Sequence, residues 1–359
     1  MKTANSKITK GKYGFFLIVP RGEVRILQLT DIQIIDSDQM RTPDRLVEAE
    51  RLKWTADKVW HNAYRYVKEA ADRAKPHLIV ITGDNVYGEF DDSGDRFREF
   101  CEFFEGLGIP WAPVFGNHDN QTKCDVISQC EYMEGLKNCL FMHGNVTGNG
   151  NYAVTLVRPS SEPGENNGEG THFSPLRTFL MLDSHGCLHH PGIRADQIGL
   201  CREALKEVEE KTGTVPPLFA CYHIPSYEFC LAAEDAGYQK ADDFWAKYDI
   251  GVTVPAKNGD FGKRDDPQGK VGDNSAFMEF FKANGGDGIF VGHYHKNSTS
   301  ILSGGVRYTF GLKTGLYDYH NDDMIGSTLI TLKDPEDATG APAFTVRHLY
   351  TAFSPDDPA

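Results

Sequence analysis

The sequence predicts an α/β fold, and three features carry that expectation. Between Val24 and Phe115 the chain alternates strand, helix, strand, helix, strand within about ninety residues, the signature of βαβ units. Its polar, chemistry-bearing clusters fall where strand patterns stop, which is where open α/β sheets gather functional groups. Beyond Thr299 a series of short strand patterns closes the chain.

The elements follow in order. Tyr13 to Pro20 is apolar but too short to span a bilayer, has no small-residue cleavage site, and reads as a first strand. Val24 to Thr30 is a strand ending in Asp31-Ile32-Gln33. Helical spacing runs from Asp44 to about Ala74, and Pro76 stops it. His77 to Thr82 is continuously apolar, as a strand buried on both faces would be, and it ends in Gly83-Asp84-Asn85-Val86-Tyr87. Arg96 to Phe104 is an amphipathic helix closed by Gly106 and Gly108. The strand Ile109 to Phe115 ends in Gly116-Asn117-His118-Asp119. Further strands are expected at Leu140 to His143, Tyr152 to Val157, Thr178 to Asp183 and Leu218 to Tyr222, the last ending in His223. Helices are expected at Asp196 to Lys211 and Ser275 to Ala283. Gly288 to Val291 is a strand ending in Gly292-His293-Tyr294-His295. Polar stretches at 158–173 and 257–274 read as loop insertions into one domain spanning 1–359, because strand patterns resume after each.

Composition excludes some functions. A net charge of -14 over 359 residues does not suit a nucleic-acid or anionic-membrane surface, both of which need clustered positive charge. Eight scattered cysteines form no C-x-x-C pair, so reduced thiols are expected, with local pairing open for Cys124, Cys130 and Cys139. The lack of an export signal gives a cytoplasmic expectation, and no feature bears on the oligomeric state.

Five clusters supply the chemistry: Asp31-x-Gln33, Gly83-Asp84, Gly116-Asn117-His118-Asp119, His223 and Gly292-His293-x-His295. Together they offer carboxylates, amide oxygens and imidazoles, enough for two metal ions bridged by one carboxylate. Residues i and i+2 of a strand point the same way, so Asp31 with Gln33, and His293 with His295, can each clasp an ion from one side. His118 can carry a proton and Asp119 can fix its tautomer. His185, Cys187, His189 and His190 form a further cluster, read as surface histidines before a zinc site. Arg41 is either a phosphate clamp or part of a plain polar turn.

The set resembles the calcineurin-like metallophosphoesterase superfamily, whose pattern is D-x-H, G-D, G-N-H-D/E, H and G-H-x-H, in order over roughly residues 24 to 295. The resemblance implies a four-layer double β-sandwich flanked by helices, with two metal ions (Mn, Fe or Zn) at the sheet ends. It places Asp31, Gln33 and His295 on the first ion, Asn117, His223 and His293 on the second, and Asp84 between them. A hydroxide held by both metals would attack phosphorus, His118 would protonate the leaving oxygen, and Asp119 would orient His118. The chain departs from the pattern at Gln33, where the family has histidine. Gly83 to Tyr87 reads G-D-x-x-Y, as in the related purple acid phosphatases, so Tyr87 is either a substitute ligand on the first ion or packs beneath the site. The expected activity is hydrolysis of phosphate monoesters, on a phosphorylated small molecule or a phosphoprotein. The alternatives are a phosphodiesterase acting on nucleotides or phospholipid headgroups, and a non-catalytic binding protein built on a degenerate site.

Overall fold

Apolar strand runs build the molecule, and two sheets result. The computed structural model describes residues 8–41, 47–48, 60–159, 173–186, 191–237, 252–253, 258–266, 274–333 and 344–351. The strands are β1 (Ile8–Lys10), β2 (Gly14–Ile18), β3 (Val24–Leu29), β4 (Leu78–Thr82), β5 (Trp111–Val114), β6 (Tyr152–Pro159), β7 (Phe173–Met181) and β8 (Leu218–Cys221). They continue with β9 (Val252–Thr253), β10 (Lys263–Arg264), β11 (Gly286–Val291), β12 (Ser300–Ser303), β13 (Val306–Phe310), β14 (Gly326–Leu332) and β15 (Phe344–Tyr350). The helices are α1 (Trp60–Ala74), α2 (Asp95–Gly106), α3 (Val126–Glu134), α4 (Ala195–Thr212), α5 (Glu228–Asp235) and α6 (Ser275–Ala283).

One sheet has the order β15-β14-β3-β4-β5, with β3, β4 and β5 parallel. The other has the order β1-β2-β6-β7-β8-β11-β13-β12, with β7, β8, β11 and β13 parallel. β9 and β10 form a separate hairpin pair.

Strand alternation shows how the sheets stack. Phe179, Met181, Phe219, Cys221 and Phe290 join one core with Leu27, Ile79, Val80 and Val114 of the five-stranded sheet. Their neighbours Leu180, Leu218, Ala220, Ile289 and Val291 belong to a second core, with Leu205 of α4, Phe229 of α5 and Phe277 of α6. β7, β8 and β11 thus give alternate residues to the inter-sheet layer and to the helices outside. On the other side, Val67 of α1 and Phe100 of α2 cover the five-stranded sheet. The expected four layers, helix, sheet, sheet, helix, are those observed.

One expectation changes. Leu140 to His143 is not a strand: Cys139 makes a single bridge to Trp111, and the chain then turns away. The first helix is described only from Trp60, and 42–46 and 49–59 lie outside the described residues. Of the two polar insertions, 160–172, 257 and 267–273 also lie outside them, while Arg158 and Pro159 continue β6. Seven cysteines are described and all are free thiols, Cys124, Cys130 and Cys139 included. Among the described residues no helix is long and apolar enough to cross a membrane.

Candidate metal centre

Every expected cluster lies at the carboxyl end of a parallel strand. Asp31 and Gln33 follow β3, Asp84 follows β4, and Asn117 to Asp119 follow β5; His223 follows β8, and His293 and His295 follow β11. The two sheets therefore deliver their strand ends to one place. Main-chain bonds tie those ends together: Asp31 N donates to Gly83 O (3.0 Å), Gln33 N to Asp84 O (2.9 Å) and Gly292 N to His223 O (3.1 Å). Asp31, Gln33, Asp84 and His293 all adopt left-handed backbone, with φ of 51, 51, 51 and 74°. Such conformations cost about 1–3 kcal/mol each and persist where the surrounding structure imposes them. Two glycines make room: a Cβ at Gly116 would sit 2.1 Å from Asp84 Oδ1, and one at Gly292 would sit 2.5 Å from Asp31 Oδ2.

The side chains converge in two groups around Asp84. In the first, His295 Nε2 lies 3.1 Å from Asp31 Oδ1, and Asp31, Asp84 and His295 each offer one ligand atom within 4.8 Å of the others. In the second, His223 Nε2 lies 3.2 Å from both Asn117 Oδ1 and Asp84 Oδ2. The His293 ring stands edge-on to His223, with centroids 5.2 Å apart. Asp31, Asp84 and His223 are almost fully buried. Burial alone would raise both carboxyls, but His295 beside Asp31, and His223 beside Asp84, outweigh it and hold them well below the usual range. Burial would lower His223, yet the Asp84 charge lifts it to about 9. Burial and the neighbouring His223 push His293 down to about 3, so it stays neutral, as a ligand must.

Main-chain carbonyls decide what these imidazoles present. Thr82 O faces His223 Nδ1 at 2.8 Å, and Tyr319 O faces His295 Nδ1 at 2.8 Å. A carbonyl only accepts, so each Nδ1 carries the hydrogen and each Nε2 of a neutral ring turns a lone pair toward a buried carboxylate. Lone pairs of nitrogen, carboxylate and amide oxygen aimed at common points are what a cation satisfies, and oxygen with imidazole suits manganese, iron or zinc. The residues fit a metal at both positions.

Gln33 is buried between the two carboxylates' loops, but its amide points the other way from a ligand. Nε2 donates to Asp84 Oδ2 (3.3 Å), and Oε1 accepts from Lys313 Nζ. Lysine is donor-only, so the atom facing it must be the oxygen. Lys313 Nζ also donates to Asp31 O at 3.0 Å, and the residue is buried. Burial pushes its ammonium down to about 8, opposed by Asp31, Asp318 and Asp84. Sequence reading missed Lys313, because no motif marks a lysine three residues past a short strand.

His118 sits at the rim, more open than His223 and His295. Its Nε2 lies 4.0 Å from Asp84 Oδ2, and its main-chain N–H donates to Asp84 Oδ1 (2.9 Å). Asp119 does not orient it. The two Asp119 oxygens accept from Gly116 N (2.7 Å), Asn85 N (2.9 Å), Val86 N (3.0 Å) and Asn85 Nδ2 (3.2 Å). Asp119 thereby pins the β4 and β5 loops to one another. The group on His118 Nδ1 is Gln121 Oε1, at 2.8 Å, three residues along the same turn. The Tyr87 ring lies against the His118 imidazole, centroids 4.0 Å apart, and packs with Ile35, Phe90 and Tyr317. Arg41 ties loops together, donating to Glu89 O and Gln121 O and pairing with Asp92. His185 is hydrogen-bonded at Nε2 to Gln197 Oε1 (3.1 Å); Cys187, His189 and His190 lie outside the described residues.

Residues 24–297 match the family model described as calcineurin-like phosphoesterase. Among curated proteins, the chain is similar to probable inactive purple acid phosphatase 14 of Arabidopsis thaliana, 23% identical over 321 residues, covering 83% of this chain and 72% of that protein. It is also similar to phosphatase DCR2 of Saccharomyces cerevisiae, 26% identical over 253 residues, covering 66% of this chain and 40% of that protein. Among solved structures, it shares its fold with a dimetal phosphatase from Danio rerio at a TM-score of 0.50 and 12% identity, covering 87% of this chain and 93% of that one.

Proposed function

The chain belongs to the calcineurin-like phosphoesterase family, and on that premise we propose that it hydrolyses phosphate monoesters at the centre built on Asp84, with His118 as the general acid. The family supports metal-dependent phosphoester hydrolysis in general; the monoester and the role of His118 are this reading's own. The observation that carries it is the contrast between histidines. His223 and His295 have Nδ1 fixed on main-chain carbonyls and Nε2 on buried carboxylates. His118 instead has Nδ1 on Gln121 Oε1, and its Nε2 stands off from Asp84 at 4.0 Å at the open rim.

Metal ions held by Asp31, Asp84, Asn117, His223, His293 and His295 would polarise a phosphoryl oxygen and lower the pKa of water. The chain's own groups do the rest. The buried Asp84 and the left-handed turns hold the ligand atoms in place before substrate arrives, so little reorganisation remains at the reaction. Gln121 accepts from Nδ1–H of His118 and leaves Nε2 to carry the proton toward a leaving oxygen. The Tyr87 ring fixes the plane of that imidazole from one side.

The test is a panel of aryl phosphate monoesters and diesters, assayed with manganese, iron or zinc. His118→Ala should lower the monoester rate about a hundredfold or more, the usual weight of a general acid. Equal rates for variant and wild type would overturn the assignment, and faster diester turnover would move the substrate class. One observation favours a second reading, a non-catalytic phosphate-binding protein: Gln33 presents N–H, not a lone pair, to Asp84. It predicts binding of inorganic phosphate with no turnover of any ester.

A further inference from the structure

The two halves of the centre are not equivalent. The second half offers Asp84, Asn117, His223 and His293. The first keeps Asp31, Asp84 and His295 but has an amide N–H donor where the family has a histidine ligand. Behind that amide lies a cation of the protein's own. The segment after β13 runs along the Asp31 turn: Thr314 N donates to Thr30 O (2.9 Å) and Gly315 N to Asp31 O (3.2 Å). A Cβ at Gly315 would come within 1.9 Å of Ile32 O, so the two segments touch. This contact buries Lys313 and leaves its ammonium on Asp31 O and Gln33 Oε1, both pure acceptors.

We propose that the Lys313 ammonium is a fixed cation built into the first half of the centre, so that the Asp84–Asn117–His223–His293 position binds metal tightly while the Asp31–Asp84–His295 position binds it weakly. This rests on the metal-centre reading above. Two effects act in the same direction. Gln33, held by Lys313 with its nitrogen toward Asp84, cannot donate a lone pair. The ammonium, roughly one amide group away, repels a divalent ion, and in a buried site that repulsion amounts to about tenfold or more in affinity. The negative charge of Asp31 and Asp84 is then balanced in part by protein and in part by metal. A centre of this kind works with one resident ion and fills its other position only when metal is abundant.

The experiment is equilibrium dialysis of chelator-stripped protein against manganese or zinc, with elemental analysis of the retained metal. Wild type should bind one ion per chain tightly and a second at about tenfold or greater free-metal concentration. Lys313→Gln removes the charge but keeps a donor for Gln33 and Asp31, and should tighten the weaker ion about tenfold or more. Lys313→Arg keeps the charge and should leave it near the wild-type value. Two ions of equal affinity in wild type, or a weaker ion unmoved in Lys313→Gln, would overturn the proposal while leaving the metal centre intact. No bound metal in any of the three proteins would overturn the metal-centre reading and this proposal with it. Circular dichroism checks that each variant folds; if Lys313→Gln does not, the stepwise binding of wild type decides alone.

Discussion

Asp119→Ala separates two roles that one carboxylate could play. Replacement removes the acceptors of four buried donors: the N–H groups of Gly116, Asn85 and Val86, and the Asn85 side-chain amide. Each buried donor left without a partner costs about 1 kcal/mol at the low end, so the four come to about 4 kcal/mol. Part of this is returned, because burial and the nearby Asp84 charge both work against an ionised Asp119. A net loss of about 2–3 kcal/mol remains. For a chain this large that lowers the melting temperature by about 5 °C, on a scale of roughly 2 °C per kcal/mol. The assay is thermal unfolding followed by circular dichroism with a chelator present, so that changed metal binding does not enter the midpoint. Catalytic rate is measured in parallel at a temperature well below both midpoints. A melting point within about 1 °C of wild type together with a hundredfold loss of rate would refute the pinning role and restore Asp119 as the partner of His118.

Two further outcomes follow from the same geometry. Gln121→Ala frees His118 Nδ1, whose one neutral hydrogen bond to Gln121 is 2.8 Å long. A bond of that kind is worth about 0.5–1.5 kcal/mol, so kcat should fall about two- to tenfold with KM and metal content unchanged, and an unchanged kcat would remove Gln121 from the mechanism. His348 gives a pH dependence that does not involve the candidate ligands. Burial pushes its imidazole down to about 4, with Nε2 on Ser298 O (2.7 Å) and Nδ1 on Thr328 Oγ1 (3.0 Å). The unfolded chain then takes up a proton near pH 6.5 that the folded chain takes up only near 4, so stability is full at neutral pH and lost as pH falls between those values. At pH 5 the loss is up to about 2 kcal/mol, less for the solvent that still reaches the ring. Urea unfolding at pH 7 and 5 reads it, and His348→Gln, which keeps partners without titrating, should flatten the dependence.

Much of the site was legible because its signals are local. A strand that stops at glycine with a carboxylate or imidazole beyond it needs only a few adjacent residues to be recognised. Asp31, Asp84, Asn117, His223, His293 and His295 all stand at such ends, and the structure brings them together there. The continuous apolar run of β4 likewise foretold a strand buried on both faces. Leu140 to His143 shows the limit: an apolar run resembles a strand, but it becomes one only if a partner edge is free, and Trp111 offers Cys139 one bridge.

The sequence by itself determined the class of fold, the residue types of the candidate ligands and the strand ends that carry them, since these follow from residue type and short-range period. Which way a polar side chain turns was decided only by the tertiary structure. Asp119 faces the loop amides and not His118, because the β4 loop presents buried donors that must be satisfied. Gln33 faces Asp84 with nitrogen because Lys313, 280 residues away, arrives behind it with a charge that only oxygen can accept. Hydrogen-bond direction is fixed by what packs alongside, and across that distance the sequence holds no period from which to read it.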